Sequence, residues 1–91
     1  MTMVSLTAVE PLEPGFVTLT WDDGVTREVD ISDLMTGHAV LEMLQIPEIF
    51  RAVSLVEGGG GIEWENGADF CAQALRRHSD EQQLKNSKVD A

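Results

Sequence analysis

The sequence predicts a single α+β domain, with a small mixed or antiparallel sheet of four to five strands and two or three short helices. Short stretches of alternating or β-branched residues recur along the chain, separated by turns that contain proline or glycine. Apolar residues at helical spacing occur at residues 39–44 and 70–75. Because 91 residues suffice for one hydrophobic core and not for two, we assign residues 1–78 to the domain. Residues 79–91 have few large apolar side chains and are predicted to form a disordered tail.

The second and third predicted strands, residues 16–21 and 25–31, form a hairpin whose register follows from burial. A two-residue loop would put apolar and charged side chains on the same face. A three-residue loop, in which Trp21 faces Val25, collects the apolar side chains on one face. We therefore predict a type I turn with Gly24 in the left-handed conformation. The shared face then contains Val17, Leu19, Trp21, Val25, Val29 and Ile31.

Short elements are predicted for the middle of the chain. Ser32 is placed to cap a helical turn, and a second short helix over residues 39–44 ends before Pro47. Residues 50–56 are typical of a strand. Residues 58–61 are all glycine and predict a flexible connection, because the lysine and the following helix of a phosphate-binding loop are missing.

The last predicted elements are a strand, a turn and a helix. Ile62 and Trp64 share one face of the strand, and Asn66-Gly67 is typical of a turn. Asp69 is placed to cap a helix that begins near residue 70. Phe70 and Ala74, and Cys71 and Leu75, are spaced to lie on its inner face.

The charge is strongly negative and unevenly distributed. The chain carries a net charge of −10, and residues 1–75 contain thirteen acidic and two basic side chains. Such a charge repels phosphate groups, so we expect no direct binding to nucleic acid. It favours a basic protein partner, although acidic side chains that only maintain solubility are the simpler explanation. We expect a cytoplasmic protein without membrane contact, since neither a spanning segment nor a signal peptide is visible.

No catalytic, cofactor-binding or metal-binding residues are predicted, and we expect no enzymatic activity. His38 and His78 do not occur in a zinc-binding pattern. The acidic residues have local explanations as turn residues, helix caps or solvated side chains. Cys71 lies next to Phe70 on an apolar helical face and is interpreted as a buried, inert thiol. Trp21 and Trp64 are expected in the core, with an exposed patch for a partner as the alternative.

Two segments carry a family resemblance. Residues 17–34, with the turn at Asp23-Gly24 followed by Asp30, and residues 62–69, with Trp64, Asn66-Gly67 and Asp69, occur in this order. Together they resemble the bacterial "domain of unknown function 2442" family over about residues 4–75. Glu65 stands where that family usually has proline. The possible interaction positions are therefore Trp21, Asp23, Gly24, Asp30, Trp64, Asn66, Gly67 and Asp69.

The resemblance implies a small α+β domain without established catalytic residues. Some members of the family carry a C-terminal helix-turn-helix and are labelled regulators, whereas others resemble the smaller partner of suspected toxin–antitoxin pairs. Residues 76–91 are too short for a helix-turn-helix. We therefore predict a non-enzymatic interaction or regulatory module, antitoxin-like and bound to a basic partner. A small-molecule or metal-binding domain, and a transcription-associated regulator that acts through a partner, remain as alternatives. An exposed strand edge leaves homo-oligomerisation open.

Overall fold

Over residues 4–89, the fold consists of two three-stranded antiparallel sheets and three helices. The computed structural model describes the backbone of residues 4–89 and the side chains through Leu84. The first sheet has the order β1-β2-β3 and the second the order β4-β5-β6. The predicted α+β class is confirmed, with six strands in place of four to five. The strands are β1 (Leu6–Pro11), β2 (Phe16–Trp21), β3 (Thr26–Asp30), β4 (Ser54–Leu55), β5 (Gly61–Glu63) and β6 (Asp69–Cys71).

Along the chain, two short helices lie between the strands of the first sheet and those of the second, and a long helix follows the second sheet. They are α1 (Ala39–Glu42), α2 (Pro47–Phe50) and α3 (Ala72–Val89), and short 3-10 turns occur at Ser32–Leu34, Met43–Gln45 and Glu57–Gly59. None of the helices in the described part of the chain is both long enough and apolar enough to cross a lipid bilayer. The long helix α3 packs against β3, β5 and β6 and so joins the two sheets.

The register of the β2–β3 hairpin is the predicted one. Val17 pairs with Val29, and Leu19 pairs with Arg27. The amide of Trp21 donates to the carbonyl of Val25, and Gly24 has a φ of 87°. A positive φ is easily adopted by glycine and costs energy for other residues, so Gly24 permits this three-residue loop.

The core lies between the sheets and α3. Its side chains come from every sheet, from α3 and from the irregular segments between the sheets. The buried apolar residues are Leu6, Val17, Leu19, Trp21, Val29, Ile31, Met35, Leu44, Phe50, Ile62, Trp64, Ala68, Ala72 and Leu75. Both tryptophans are at most 3% exposed, so of the two interpretations offered for them the core one is confirmed.

Two predicted elements in the middle of the chain differ from the structure. Residues 50–56 do not form one strand, because Pro47 starts helix α2 and the strand β4 is only two residues long. The fixed φ of proline suits the first position of a helix. The sequence analysis interpreted Pro47 only as the residue before which the preceding helix ends. Ser32 does not cap a helix. Its hydroxyl group donates instead to the Asp30 carboxylate at 2.6 Å.

Helix α3 begins later and extends further than predicted. Asp69 lies in β6 and is not a helix cap, and the first helical residue is Ala72. Residues 79–89, predicted as part of a disordered tail, continue the helix, while residues 90–91 lie outside the described residues. Ser79 is only 2% exposed, and Gln82 bonds to the backbone of β3. Polar contacts therefore hold a segment that has few apolar side chains.

Candidate functional site

Each of the two sheets contains a turn that begins at a tryptophan, and the two turns have the same hydrogen-bond pattern. In the first turn, Trp21 donates to the carbonyl of Val25 at 2.9 Å and accepts from the Gly24 amide at 3.0 Å. In the second, Trp64 donates to Ala68 at 2.9 Å and accepts from Gly67 at 3.1 Å. Gly67 has a φ of 97°, close to that of Gly24. Residues 21–24 and 64–67 share the sequence pattern Trp-x-Asx-Gly. The sequence analysis predicted each turn separately and missed this common pattern.

The third residue of each turn fixes the turn and also binds a helical segment. Oδ1 of Asp23 accepts from the Val25 amide at 3.2 Å, and Oδ1 of Asn66 accepts from Ala68 at 3.1 Å. In both turns, the second polar atom of the same side chain forms a hydrogen bond with a helix. Oδ2 of Asp23 accepts from Arg76 of α3 at 3.0 Å. Nδ2 of Asn66 donates to the Val40 carbonyl of α1 at 2.9 Å. These signature residues therefore connect sheets to helices.

Arginine side chains join β3 and the first turn to α3. The Arg76 guanidinium lies 5.1 Å from the centre of the Trp21 ring, a distance suited to a cation–π contact. Its Nε is 3.6 Å from the Asp80 carboxylate. Arg27 of β3 donates to Ser79 at 3.0 Å and to Asp80 at 2.6 Å. Two arginines are thus engaged in ion pairs within the protein.

A second polar cluster joins α3 to the end of β3. Oε1 of Gln82 accepts from the backbone amide of Asp30, and Nε2 of Gln82 donates to the carbonyl of the same residue. The ring Nε2 of His78 lies 2.8 Å from that carbonyl oxygen. The same ring nitrogen lies 2.9 Å from Nε2 of Gln82, so the tautomer of His78 decides whether it donates to the carbonyl or accepts from the amide group. The edge of β3 is therefore covered by α3 at this position.

Two carboxylates beside α3 have lowered pKa values. The Val25 amide, and after it Arg76, favour the charged form of Asp23 and lower its pKa below 3.8. The Ser32 hydroxyl and amide hold the pKa of Asp30 below the same value, with a smaller effect from His78, while partial burial acts in the opposite direction. Both groups are therefore expected to remain charged at neutral pH.

The Asp30→Asn variant is expected to show that the Asp30 carboxylate stabilises the fold only when it is charged. A lowered pKa in the folded protein gives stability that is present above the unfolded value of 3.8 and lost as the pH falls through the folded value. The difference in Tm between wild type and Asp30→Asn should thus shrink between about pH 5 and about pH 2.5. Thermal unfolding followed by circular dichroism measures it.

Asp33→Asn is the matched control for this experiment. Asp33 is exposed, and within the described residues its carboxylate accepts no hydrogen bond. Its variant should change the Tm less than Asp30→Asn does at neutral pH. A difference between wild type and Asp30→Asn that stays constant across this pH range would contradict the assigned role of the Asp30 carboxylate.

The remaining predicted positions do not converge on a chemical site. Asp69 is exposed in β6, and the residues of the two turns contact different helices. Among residues 4–84, no group of three or more histidine, cysteine, aspartate or glutamate side chains could hold a metal ion. The interpretation of Cys71 as buried is wrong. The thiol is exposed because Cys71 precedes α3, where its Sγ accepts from the Ala74 amide at 3.4 Å.

An exposed apolar surface lies on the segment between the sheets. Val40, Met43 and Ile46 are 38%, 41% and 47% exposed, and we call these three residues the apolar patch. The sequence analysis predicted a helix with Val40 and Met43 among its apolar residues. Of residues 39–44, only Leu44 is fully buried, because a 3-10 turn replaces the helix after Glu42 and changes the spacing of the buried side chains.

Comparison with known protein families assigns the chain to a family. The family model described as "Protein of unknown function (DUF2442)" matches residues 6–81. The chain belongs to this family. The match includes both tryptophan turns and most of the α3 residues that bind β3, which agrees with the resemblance found in the sequence. A search of curated proteins gives no match.

A solved structure extends this comparison. The crystal structure of a putative DNA-binding protein from Nitrosomonas europaea is 32% identical in sequence and superposes with a TM-score of 0.77. The match covers 89% of this chain and 52% of that protein, so this chain spans about half its length. The expectation of no direct binding to nucleic acid is therefore contradicted. Net charge describes the whole surface, and it does not decide what an individual segment contacts.

Proposed function

We propose that this family member is a non-enzymatic regulatory module that acts in the cytoplasm by binding a basic protein partner in a DNA-associated system. The distribution of charge on the described surface carries the proposal. Of the thirteen acidic residues in positions 1–75, all except Asp30 are exposed. Of the two basic residues there, Arg27 is engaged by Asp80, which leaves Arg51 as the exposed positive charge.

This arrangement creates a negative field that the ion pairs among the described residues offset only in part. Arg76 pairs with Asp23 and lies over the ring of Trp21, and Arg27 pairs with Asp80. A field of one sign speeds association with an oppositely charged partner and penalises like-charged ones. The similarity to a protein named as DNA-binding supports a regulatory setting. Proteins in such settings often present basic surfaces, which suit this acidic exterior.

A salt-dependent capture experiment tests the proposal. The tagged chain is incubated with a nuclease-treated extract of its source organism at about 0.05 M salt, and bound proteins are eluted with rising salt. We expect a basic protein that elutes by about 0.5 M salt, since screening weakens attraction between exposed charges. Nuclease treatment excludes capture through contaminating DNA. Capture of no protein, or of proteins that resist high salt and carry no excess positive charge, would contradict the proposal.

Direct DNA contact through α3 is a second candidate, favoured by the neighbouring structure. Residues 76–91 contain four basic and three acidic side chains, so this segment alone has a positive net charge. Arg77 is exposed on α3. Fluorescence anisotropy with a labelled duplex at low salt tests it, and Arg77→Gln should weaken any such binding. An anisotropy that does not change at high protein concentration would eliminate this candidate.

A further inference from the structure

The apolar patch is held in place by the structure beneath it. Leu44 and Phe50, on the buried side of the same segment, are fully buried. Asn66 of the second tryptophan turn donates to the Val40 carbonyl at 2.9 Å. The Ile46 amide donates to the Met43 carbonyl at 3.0 Å. The exposed side chains of the patch are therefore presented from a fixed backbone, which reduces the entropy lost when a partner binds.

Exposed acidic residues accompany this patch along the chain. Glu42 precedes Met43, and Glu48 follows Ile46 by two positions. The nearby cation, Arg51, directs its Nε towards the carbonyl of Pro47 at 3.4 Å. A second copy of the chain would bring glutamates of the same charge towards each other, which disfavours self-association here. A partner with apolar residues and positive charges would match both features.

We propose that the apolar patch binds an amphipathic basic helix of the partner protein. Apolar side chains at helical spacing would cover Val40, Met43 and Ile46, and lysine or arginine side chains on the rim would face Glu42 and Glu48. This inference rests on the proposed function and adds the surface and the structural class of the partner. The apolar contacts supply affinity, and the charges supply orientation and a faster encounter.

A designed peptide tests the surface without knowledge of the natural partner. The probe is a labelled helix of about 18 residues, with leucines at positions i, i+3, i+4 and i+7 and lysines elsewhere. A scrambled peptide of identical composition removes the apolar face and keeps the charge. Fluorescence anisotropy at low and high salt measures affinity, and amide chemical-shift changes show which residues the peptide contacts.

Matched variants separate the apolar and charge contributions. Met43→Gln/Ile46→Gln should weaken the binding of the probe at least about tenfold. Leu84→Gln replaces an apolar side chain that is 64% exposed on α3 and should have no effect. Glu42→Gln/Glu48→Gln should weaken binding about threefold at low salt and less at high salt. Glu10→Gln/Glu13→Gln removes the same charge elsewhere and should have a smaller effect.

The outcomes distinguish this inference from the proposed function. Unchanged binding by Met43→Gln/Ile46→Gln, equal binding of the scrambled peptide, or shifts centred outside residues 39–48 would overturn the assignment of the surface. Salt-sensitive binding in those cases would still support an acidic module with a basic partner. If neither peptide binds at low salt, the assignment of the surface is overturned, and the salt-dependent capture experiment decides the proposed function on its own.

Discussion

Replacing Gly59 or Gly61 with alanine is expected to destabilise the protein far more than replacing Gly60, although all three belong to one run of glycines. A Cβ atom on Gly59 would lie 2.3 Å from the carbonyl oxygen of Leu6, and Gly59 has a φ of 78°. A Cβ on Gly61 would lie 2.3 Å from the carbonyl oxygen of Phe70. The backbone atoms that block both positions belong to β1 and β6. The side chain of alanine therefore cannot fit without separating strands or moving the connection.

The run of glycines offers its own internal controls. We expect Gly59→Ala and Gly61→Ala to lower the free energy of unfolding by about 3 kcal/mol or more. Gly58 also has a positive φ but meets no atom within 4 Å, so its alanine variant should lose about 1 kcal/mol. Gly60 has a φ of −72°, and a Cβ atom there would meet no atom within 4 Å. Gly60→Ala should therefore leave the free energy of unfolding unchanged or raise it slightly. Urea denaturation of the four variants measures the series, and equal losses at all four positions would contradict it.

This run also shows what the sequence could not reveal. Four consecutive glycines predict a flexible connection, because nothing in the sequence tells which chain segments approach them. In the structure, residues 57–59 form a 3-10 turn against β1, and Gly61 starts β5. Gly59 and Gly61 are needed for close backbone approach and Gly60 is not, a distinction that depends on tertiary contacts. The same limit applies to Cys71, whose exposure depends on where α3 begins.

Local patterns were sufficient where neighbouring residues in sequence are also neighbours in space. The alternation of apolar residues around Asp23-Gly24 fixed the register of the β2–β3 hairpin and the conformation of Gly24. The path of α3 was not predictable in this way. Its polar half is held by Arg27 and Asp30, about 50 positions earlier in the chain. Partners so far apart leave no periodic signal, so the segment was predicted as disordered.

The candidate surface was only partly visible in the sequence for a related reason. The excess of acidic residues follows from composition and indicated the sign of a partner's charge. The apolar patch depends on the transition from α1 to a 3-10 turn, which leaves Met43 and Ile46 exposed and Leu44 buried. Helical spacing alone does not mark that transition. A surface that combines both features therefore required the structure.

Replacing Trp64 with phenylalanine is expected to cost more stability than the same change at Trp21, although both residues begin the same type of turn. The indole Nε1 of Trp64 donates to the Phe50 carbonyl at 3.0 Å in the core. The ring also packs against Phe50 and Phe70, with centroid distances of 5.9 Å and 5.8 Å. Phenylalanine would remove the donor and leave the Phe50 carbonyl with its longer bond from the Val53 amide at 3.3 Å.

The Trp21 indole provides the matched comparison. Its Nε1 is buried and has no hydrogen-bond partner within the described part of the chain. Trp21→Phe therefore removes volume and part of the contact with Arg76, but it breaks no hydrogen bond of the indole. We expect losses of about 1–2 kcal/mol for Trp21→Phe and about 2–4 kcal/mol for Trp64→Phe. Both variants remove the same volume, and Trp64→Phe in addition breaks a buried hydrogen bond and disturbs the packing on Phe50 and Phe70.

Each variant retains one tryptophan, because the chain contains two and no tyrosine. Urea unfolding can therefore be followed by the fluorescence of the remaining indole and checked by circular dichroism. Equal losses, or a larger loss at Trp21, would show that the Trp64 hydrogen bond does not stabilise the second turn. A larger loss at Trp64 would show that two turns of the same geometry depend differently on their tryptophans, since within the described residues the Trp64 indole donates to the carbonyl at the end of α2 and the Trp21 indole donates to no group.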